Sequence, residues 1–506
     1  MKKIISFILL IGSISSIYAT DSQSNNINQL DKDCALTEAG NIYCWGNNYY
    51  SQAGYNNKED QYKNGFVNQV FLGGGNPYSD SSYYKLYGFD DKGLPKIEKY
   101  KSRISFDELK ELSLKDIRLV TINHNADTAF YPNKIQNPKG EHFTKILYSG
   151  LTKCAETNTN SLYCWGNGSY GLLGDDKDSN SPIPKKISIK DRVIQAGRVS
   201  MWLMYALTNK GDVYIWGTSD SYKNGKTRFA KPTKLKSNIK IKKIYTTTPS
   251  NDMSNVALGK DNKLYTIDID YKIAEIKATL LNFTHNDIHI KKVVSNGQLN
   301  CAIDTKYNLY CWGYGGSYGL GYETISQPKD RFGGVSDVFI MSNFNKNKRR
   351  GASGAMCIVP RDDEGVVCFG DGTPYKKIHT NFNVNTLGAF KVYNIKDDGL
   401  GICFVADYRD GSNALLCMDD DFDDVKVVVK NIKFYNNSCA VDKQGKLYCW
   451  GFTGDGLGAY GYGISRITKY IDGGSITTDF STHVPTHVYI PPKAIVHEKT
   501  NKDQNG

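Results

Sequence analysis

Polar and apolar residues alternate along much of this chain with a period of two, the spacing of a half-buried strand. In "NIKIKKI", Asn238 to Ile244, the apolar Ile239, Ile241 and Ile244 face inward while Lys240 and Lys242 face water. Such strands come in pairs around tight turns. "CALTEAGNIYCWG" from Cys34 holds one pair, and near copies start at Cys154, Cys301 and Cys439. Two stretches keep the frame without cysteine: "YALTNKGDVYIWG", with Tyr205 and Ile215 at the cysteine positions, and "VALGKDNKLYTID", with Val256 and Thr266. Two others keep the cysteines and change the loop, Cys357 to Cys368 and Cys403 to Cys417. Eight hairpins result, and a repeat of this kind governs the whole fold.

In the six evenly spaced hairpins, pairing the end positions leaves a three-residue loop whose last residue is Gly40, Asn160, Gly211, Asn262, Tyr307 or Gly445. That place takes left-handed backbone, which Gly and Asn tolerate best, so Tyr307 stands out. The end positions then lie directly opposite each other, with Cα atoms on the order of 4.5 to 5.5 Å apart and within disulfide reach. All twelve cysteines fall into such pairs: Cys34 with Cys44, Cys154 with Cys164, Cys301 with Cys311, Cys357 with Cys368, Cys403 with Cys417, and Cys439 with Cys449. No two cysteines have the two-residue gap usual in structural zinc sites. The pairing needs an oxidising compartment.

Between hairpins the alternation continues. "PKKISIKDRVIQAG" precedes the third hairpin and "PTKLKSNIKIKKI" the fourth, which brings each unit to four strands. Four-stranded units at intervals of about 36 to 56 residues predict an all-β fold, a β-propeller.

A Pro-initiated strand, the "CALTxxGxhYCWG" hairpin and a Gly-rich exit such as "GSYGLLG" (168–174) or "GSYGLG" (316–321) together resemble the repeat of the regulator of chromosome condensation. The Trp-Gly element stands at Trp45, Trp165, Trp216, Trp312 and Trp450, and the resemblance covers nearly the whole chain beyond its leader. It implies a propeller, usually of seven blades; eight hairpins imply either eight blades or seven with one hairpin outside the ring. Residues 56–129 match no repeat and read as an insertion or excursion from the first blade, with a short helix over "SFDELKELSLKD" (105–116). "VPTHVYIPPKAIV" (484–496) reads as the opening strands of a unit without a hairpin, and the first hairpin lacks such strands. Joined, the N- and C-terminal strands make one blade and close the ring.

The chain therefore divides into a leader (1–19), a first propeller hairpin (20–55), the 56–129 segment, the remaining blades and closing strands (130–496) and a polar tail (497–506). Lys2-Lys3, the apolar run Ile4 to Ile11 and the small Ala19 have the form of a secretory signal peptide. The run is about half the roughly 20 residues a membrane span needs. We expect an exported protein, periplasmic or secreted, with no membrane span.

The charge of +11 is mild for 506 residues and is spread along strand faces, so no nucleic-acid partner is expected. "NKNKRR" (345–350) reads as a solvated loop. No phosphate-binding loop, metalloprotease His pair or nucleophile elbow occurs. His285 and His289 lie in a strand-like stretch, and Asp419, Asp420, Asp421, Asp423 and Asp424 lack the glycine turn and closing Glu of a calcium loop. No cofactor or metal is expected.

Two function classes follow from the resemblance. One is a non-enzymatic binding module, as in secreted relatives that inhibit β-lactamases. The other is guanine-nucleotide exchange on a small GTPase, the activity of the family's nuclear founder, against which the leader and the paired cysteines argue. A carbohydrate-processing or lyase activity in the central funnel would need an acid-base pair, and none can be named. The expectation is a monomer that binds a protein partner through its inter-blade loops and the 56–129 segment, while the repeated Trp serves packing.

Overall fold

The computed structural model describes residues 26–488, apart from segments between strands, chiefly 55–69, 72–82, 100–117, 379–388 and 453–465. The leader, the 105–116 helix, the runs 345–350 and 419–424, His285 and the tail lie outside the described residues. Eight antiparallel sheets follow one another, their first strands starting at Ile27, Phe143, Val193, Ile241, Ile290, Val335, Ala389 and Ile432. Each is a four-stranded meander, and the fourth gains a fifth strand, Lys236–Ser237, along its outer edge. The described residues form eight blades.

First strands of neighbouring blades lie side by side, so they line the axis and the fourth strands form the rim. Apolar residues on both faces of each sheet fill the gaps between blades, as stacked sheets require. Trp165 packs with Phe143 between blades one and two, and Trp216 with Leu172, Leu173 and Ile187 between two and three. Trp45, Trp165, Trp216 and Trp312 are all buried, consistent with a packing role for the repeated Trp.

The ends meet differently from the sequence reading. The first blade has its own first strand, Ile27–Asp31, and the eighth its own fourth strand, Ser481–Val488, so no strand is shared. The eighth blade instead packs its Val441, Leu447 and Cys449 against Ile27, Leu30 and Trp45 of the first. Lys433 Nζ and Asn436 Nδ2 donate to the carbonyls of Ile27 and Leu30 across that junction.

A β-bulge stands near the start of every first strand, and just after it a polar side chain often staples one blade to the next. The Gln29 carboxamide accepts from Ile146 N–H at 2.9 Å and donates to its carbonyl at 2.7 Å. Gln195 repeats this on Ile244, at 3.1 and 2.6 Å. Lys145 reaches the Ile194 carbonyl, Lys292 pairs with Asp337, and Asp337 accepts from Ile395 N–H.

The hairpin loops take the backbone the spacing predicts: Gly40, Asn160, Gly211, Asn262, Tyr307 and Gly445 all have positive φ. Tyr307 does so at 68° with its ring between Lys291 Nζ, 4.3 Å from the centroid, and the Arg361 guanidinium at 4.6 Å. Such cation–π contacts offset the strain of a bulky left-handed residue. Six disulfides join the opposed cysteines, with Cα atoms 4.0 to 4.1 Å apart.

Candidate protein-binding face

Strand order gives the ring two unlike faces. One carries the tips of the tight hairpins. The other carries the turns between first and second strands and the longer connections between third and fourth. On this long-loop face the first blade sends out residues 48–127, which include strands Tyr83–Phe89, Pro95–Lys99 and Arg118–Ile122 in a separate sheet, before its fourth strand resumes at Thr128. The eighth blade, its neighbour, sends out residues 453–480 with the hairpin Arg466–Ile471 and Gly474–Asp479 from the same place. A deletion that spares the first blade therefore ends at residue 127.

Exposed apolar side chains mark the same face. Among the described residues, seven large apolar side chains are exposed, and five of them, Leu151, Tyr170, Met201, Ile273 and Tyr314, stand at its turns and connections. Blades two and three bring the first three close. Asn167 N–H donates to the Leu151 carbonyl at 3.0 Å, which ties the turn of blade two to its own exit loop. Tyr170, in that loop, lies 4.4 Å from the Trp202 ring, and Met201 beside Trp202 is 64% exposed. The Tyr170–Trp202 ring pair, with exposed Met201 next to Trp202 and the Leu151 turn tied to the Tyr170 loop, makes an aromatic and aliphatic patch, the composition of an interface anchor.

The patch is held rigidly. The Trp216 indole donates to the Leu172 carbonyl at 2.8 Å, so a buried side chain of blade three anchors the exit loop of blade two. Thr218 donates to the Tyr170 carbonyl at 3.1 Å, and Asp176 N–H to Ala230. Gly168 lies where a Cβ would meet the Ser179 carbonyl oxygen at 1.9 Å, so the loop can fold back only on glycine. Tyr170 has φ 59°, an uncommon backbone for a bulky residue, while its side chain is 42% exposed. Strain kept at an exposed aromatic is a mark of function.

Charges rim the patch. Arg228 bridges Asp178 and Asp176 at 3.1 and 3.6 Å, and the bond to Asp178 pushes its pKa up. Burial pushes the Asp175 carboxyl up, but the bonds from Lys185 and from Lys177 N–H outweigh it and hold the group below its usual range. No group of three or more metal-ligating side chains occurs among the described residues, and His289 is exposed. No helix of the described residues is long and apolar enough to cross a membrane.

Sequence reasoning missed Trp202. Of six Trp residues it alone stands outside the Trp-Gly frame, in a first-to-second-strand turn, and that irregularity was the available signal. Of the residues expected to contact a partner, strands of the 56–129 segment leave from this face, with their side chains outside the described residues.

Comparison with known proteins returns the same repeat in two places. Residues 34–52 and 160–197 match the regulator of chromosome condensation repeat. A stretch of 198 residues is 23% identical to the E3 ubiquitin-protein ligase HERC2 of Homo sapiens, covering 37% of this chain and 4% of that protein. The mouse protein matches equally. Among solved structures, Prp20p from Saccharomyces cerevisiae, studied with its binding to Gsp1p and histones, superposes with a TM-score of 0.41 at 14% identity, over 83% of this chain and 88% of that one. Human WBSCR16 gives a TM-score of 0.37 at 13% identity, over 82% and 94%.

Proposed function

We propose, on the premise that the chain is built from regulator of chromosome condensation repeats, that it is an exported, non-enzymatic propeller that binds another protein. The grip lies on the long-loop face, with Leu151, Tyr170, Met201 and Trp202 as anchor and the 56–127 excursion and inter-blade loops around it. One observation carries this reading: five of the seven large apolar side chains exposed among the described residues lie on that face. Monomers seldom expose such residues together without a use for them. A ring that fixes its loops in place also lowers the ordering cost of binding. Six intra-hairpin disulfides support the exported part, since such bonds persist in oxidising compartments.

The test is cross-linked capture by the oxidised protein from its source cells and their medium. The intact chain, a chain lacking 56–127, a Met201→Ser variant and a hairpin-tip control, Lys306→Glu, are compared. The reading expects one partner captured by the intact chain and the control and lost by the other two. Capture that survives both changes refutes it. Release of guanine nucleotide from a small GTPase by the purified protein would replace it with the exchange-factor reading.

A further inference from the structure

Among the described residues the staple at the residue after the bulge is missing at two junctions: between blades four and five, and between seven and eight, where Lys391 rests 5.1 Å over the Tyr393 ring and the Tyr435 hydroxyl joins the blades instead, donating to the Asn394 carbonyl. Between blades one and two, and three and four, the carboxamides of Gln29 and Gln195 take both backbone groups of the facing residue, Ile146 or Ile244. Lys145, Lys292 and Lys433 make the corresponding links between blades two and three, five and six, and eight and one. At the junction of blades four and five the stapling position is Lys243, the first residue after the bulge, and the facing residue is Val293. Lys243 makes no such bond. Its Nζ rests 4.8 Å over the Tyr245 ring, and no carboxylate pairs with it among the described residues. Among the described residues, no side chain is hydrogen-bonded to Val293.

The surroundings are cationic. Lys242 and Lys243 in blade four stand level with Lys291 and Lys292 in blade five, on first strands that lie side by side. Asp337, in the neighbouring blade six, is taken by Lys292. Burial pushes the Lys243 ammonium below its ordinary value although its side chain reaches solvent. One-signed charge in such a place concentrates anions.

We propose that the axial mouth between blades four and five binds a carboxylate, which takes the place that the Gln29 and Gln195 carboxamides fill at their junctions. A carboxylate has the shape of a carboxamide. One oxygen accepts from Val293 N–H as Gln29 Oε1 does from Ile146, and the other from Lys243 Nζ, a charge-assisted bond. Lys242, bonded to Asn262 at 2.7 Å, and Lys291, over the Tyr307 ring, add positive charge around the site without reaching into it, which favours a ligand with more than one carboxylate. The ligand class is a small polycarboxylic acid or an acidic peptide segment.

Lys243→Gln and Lys243→Met separate this from a general attraction of anions. Citrate and a hexaglutamate peptide are titrated by calorimetry at low salt, against the same protein followed by urea unfolding without ligand. The expected result is saturable binding of at least one probe by the native protein, with a dissociation constant on the order of millimolar or tighter. Both variants should bind at least about tenfold more weakly, the effect of losing a charge-assisted bond. Lys243→Gln should unfold at higher urea than Lys243→Met, because its carboxamide completes the staple. Binding of citrate alone identifies a small acid, and of hexaglutamate alone a peptide segment. No saturable binding of either probe by the native protein overturns the proposal, as does equal affinity in Lys243→Gln.

Discussion

Replacing Gln195 by Met removes one staple of the ring at nearly constant side-chain volume. The side chain makes three hydrogen bonds: to the Ile244 carbonyl at 2.6 Å, from Ile244 N–H at 3.1 Å, and to the Tyr205 hydroxyl at 3.0 Å. Each is worth about 0.5 to 1.5 kcal/mol net, so the set amounts to about 1.5 to 4.5 kcal/mol. Ile244 is buried in the gap between blades three and four, and a stranded N–H there adds to the loss. The assay is urea unfolding of the oxidised protein, followed by Trp fluorescence, for Gln195→Met and, at the equivalent joint, Gln29→Met. Gln29→Met should lose about two thirds as much, because its carboxamide grips the same two backbone groups without a third bond. A loss below about 0.5 kcal/mol, the range of an ordinary surface change, would falsify the claim that these carboxamides join the blades.

Non-reducing peptide mapping should find all six hairpin disulfides, and free thiols or links between hairpins would contradict the pairing. Cys154→Ala with Cys164→Ala opens a loop of sequence separation 10 and should cost about 3 kcal/mol, read as a shift in the urea midpoint. Asp212 is held below the usual carboxylate range by bonds from Lys234 and then Lys240, the latter in the connection to blade four. A depressed folded value gives stabilisation that is full above the unfolded value, about 4, and is lost as pH falls through the folded one. The urea midpoint should therefore drop below about pH 4, less steeply in Asp212→Asn; an identical pH profile in that variant refutes the assignment. Tyr170→Gly should relieve the left-handed strain at that residue and raise stability by up to about 1 kcal/mol, and a clear loss would mean that the ring packs the fold and does not serve a partner.

The hairpins were legible because their physics is local. Strand alternation, a three-residue loop and two opposed positions follow from spacing alone, and the left-handed loop residues fell where the letters placed them. Even Tyr307, which breaks the residue preference, keeps the backbone, because Lys291 and Arg361 flank its ring from outside the hairpin. The ring joints were not legible. Whether Lys243 or Gln195 faces water or the next blade depends on a bulge and on a strand about 50 residues away. The sharing of one blade by the chain ends failed for a related reason: Ile27–Asp31 is too short and too polar to announce itself as a strand, yet it pairs with Cys34–Thr37 and completes the first blade. The patch was half legible. The exit loop carrying Tyr170 was recognised as a repeat element, but its contact with Trp202 joins two blades and has no signature in either.

The most direct test of the binding face is a partner-affinity measurement on Tyr170→Gly, since that change removes the exposed ring and leaves the backbone its preferred residue. Once a partner is captured by the intact protein, its dissociation constant is measured for the intact chain and this variant, alongside their urea midpoints. Loss of an anchor residue costs about 2 kcal/mol or more, so affinity should fall by about thirtyfold while the midpoint holds or rises. Unchanged affinity in Tyr170→Gly would contradict the assignment of the long-loop face as the binding surface.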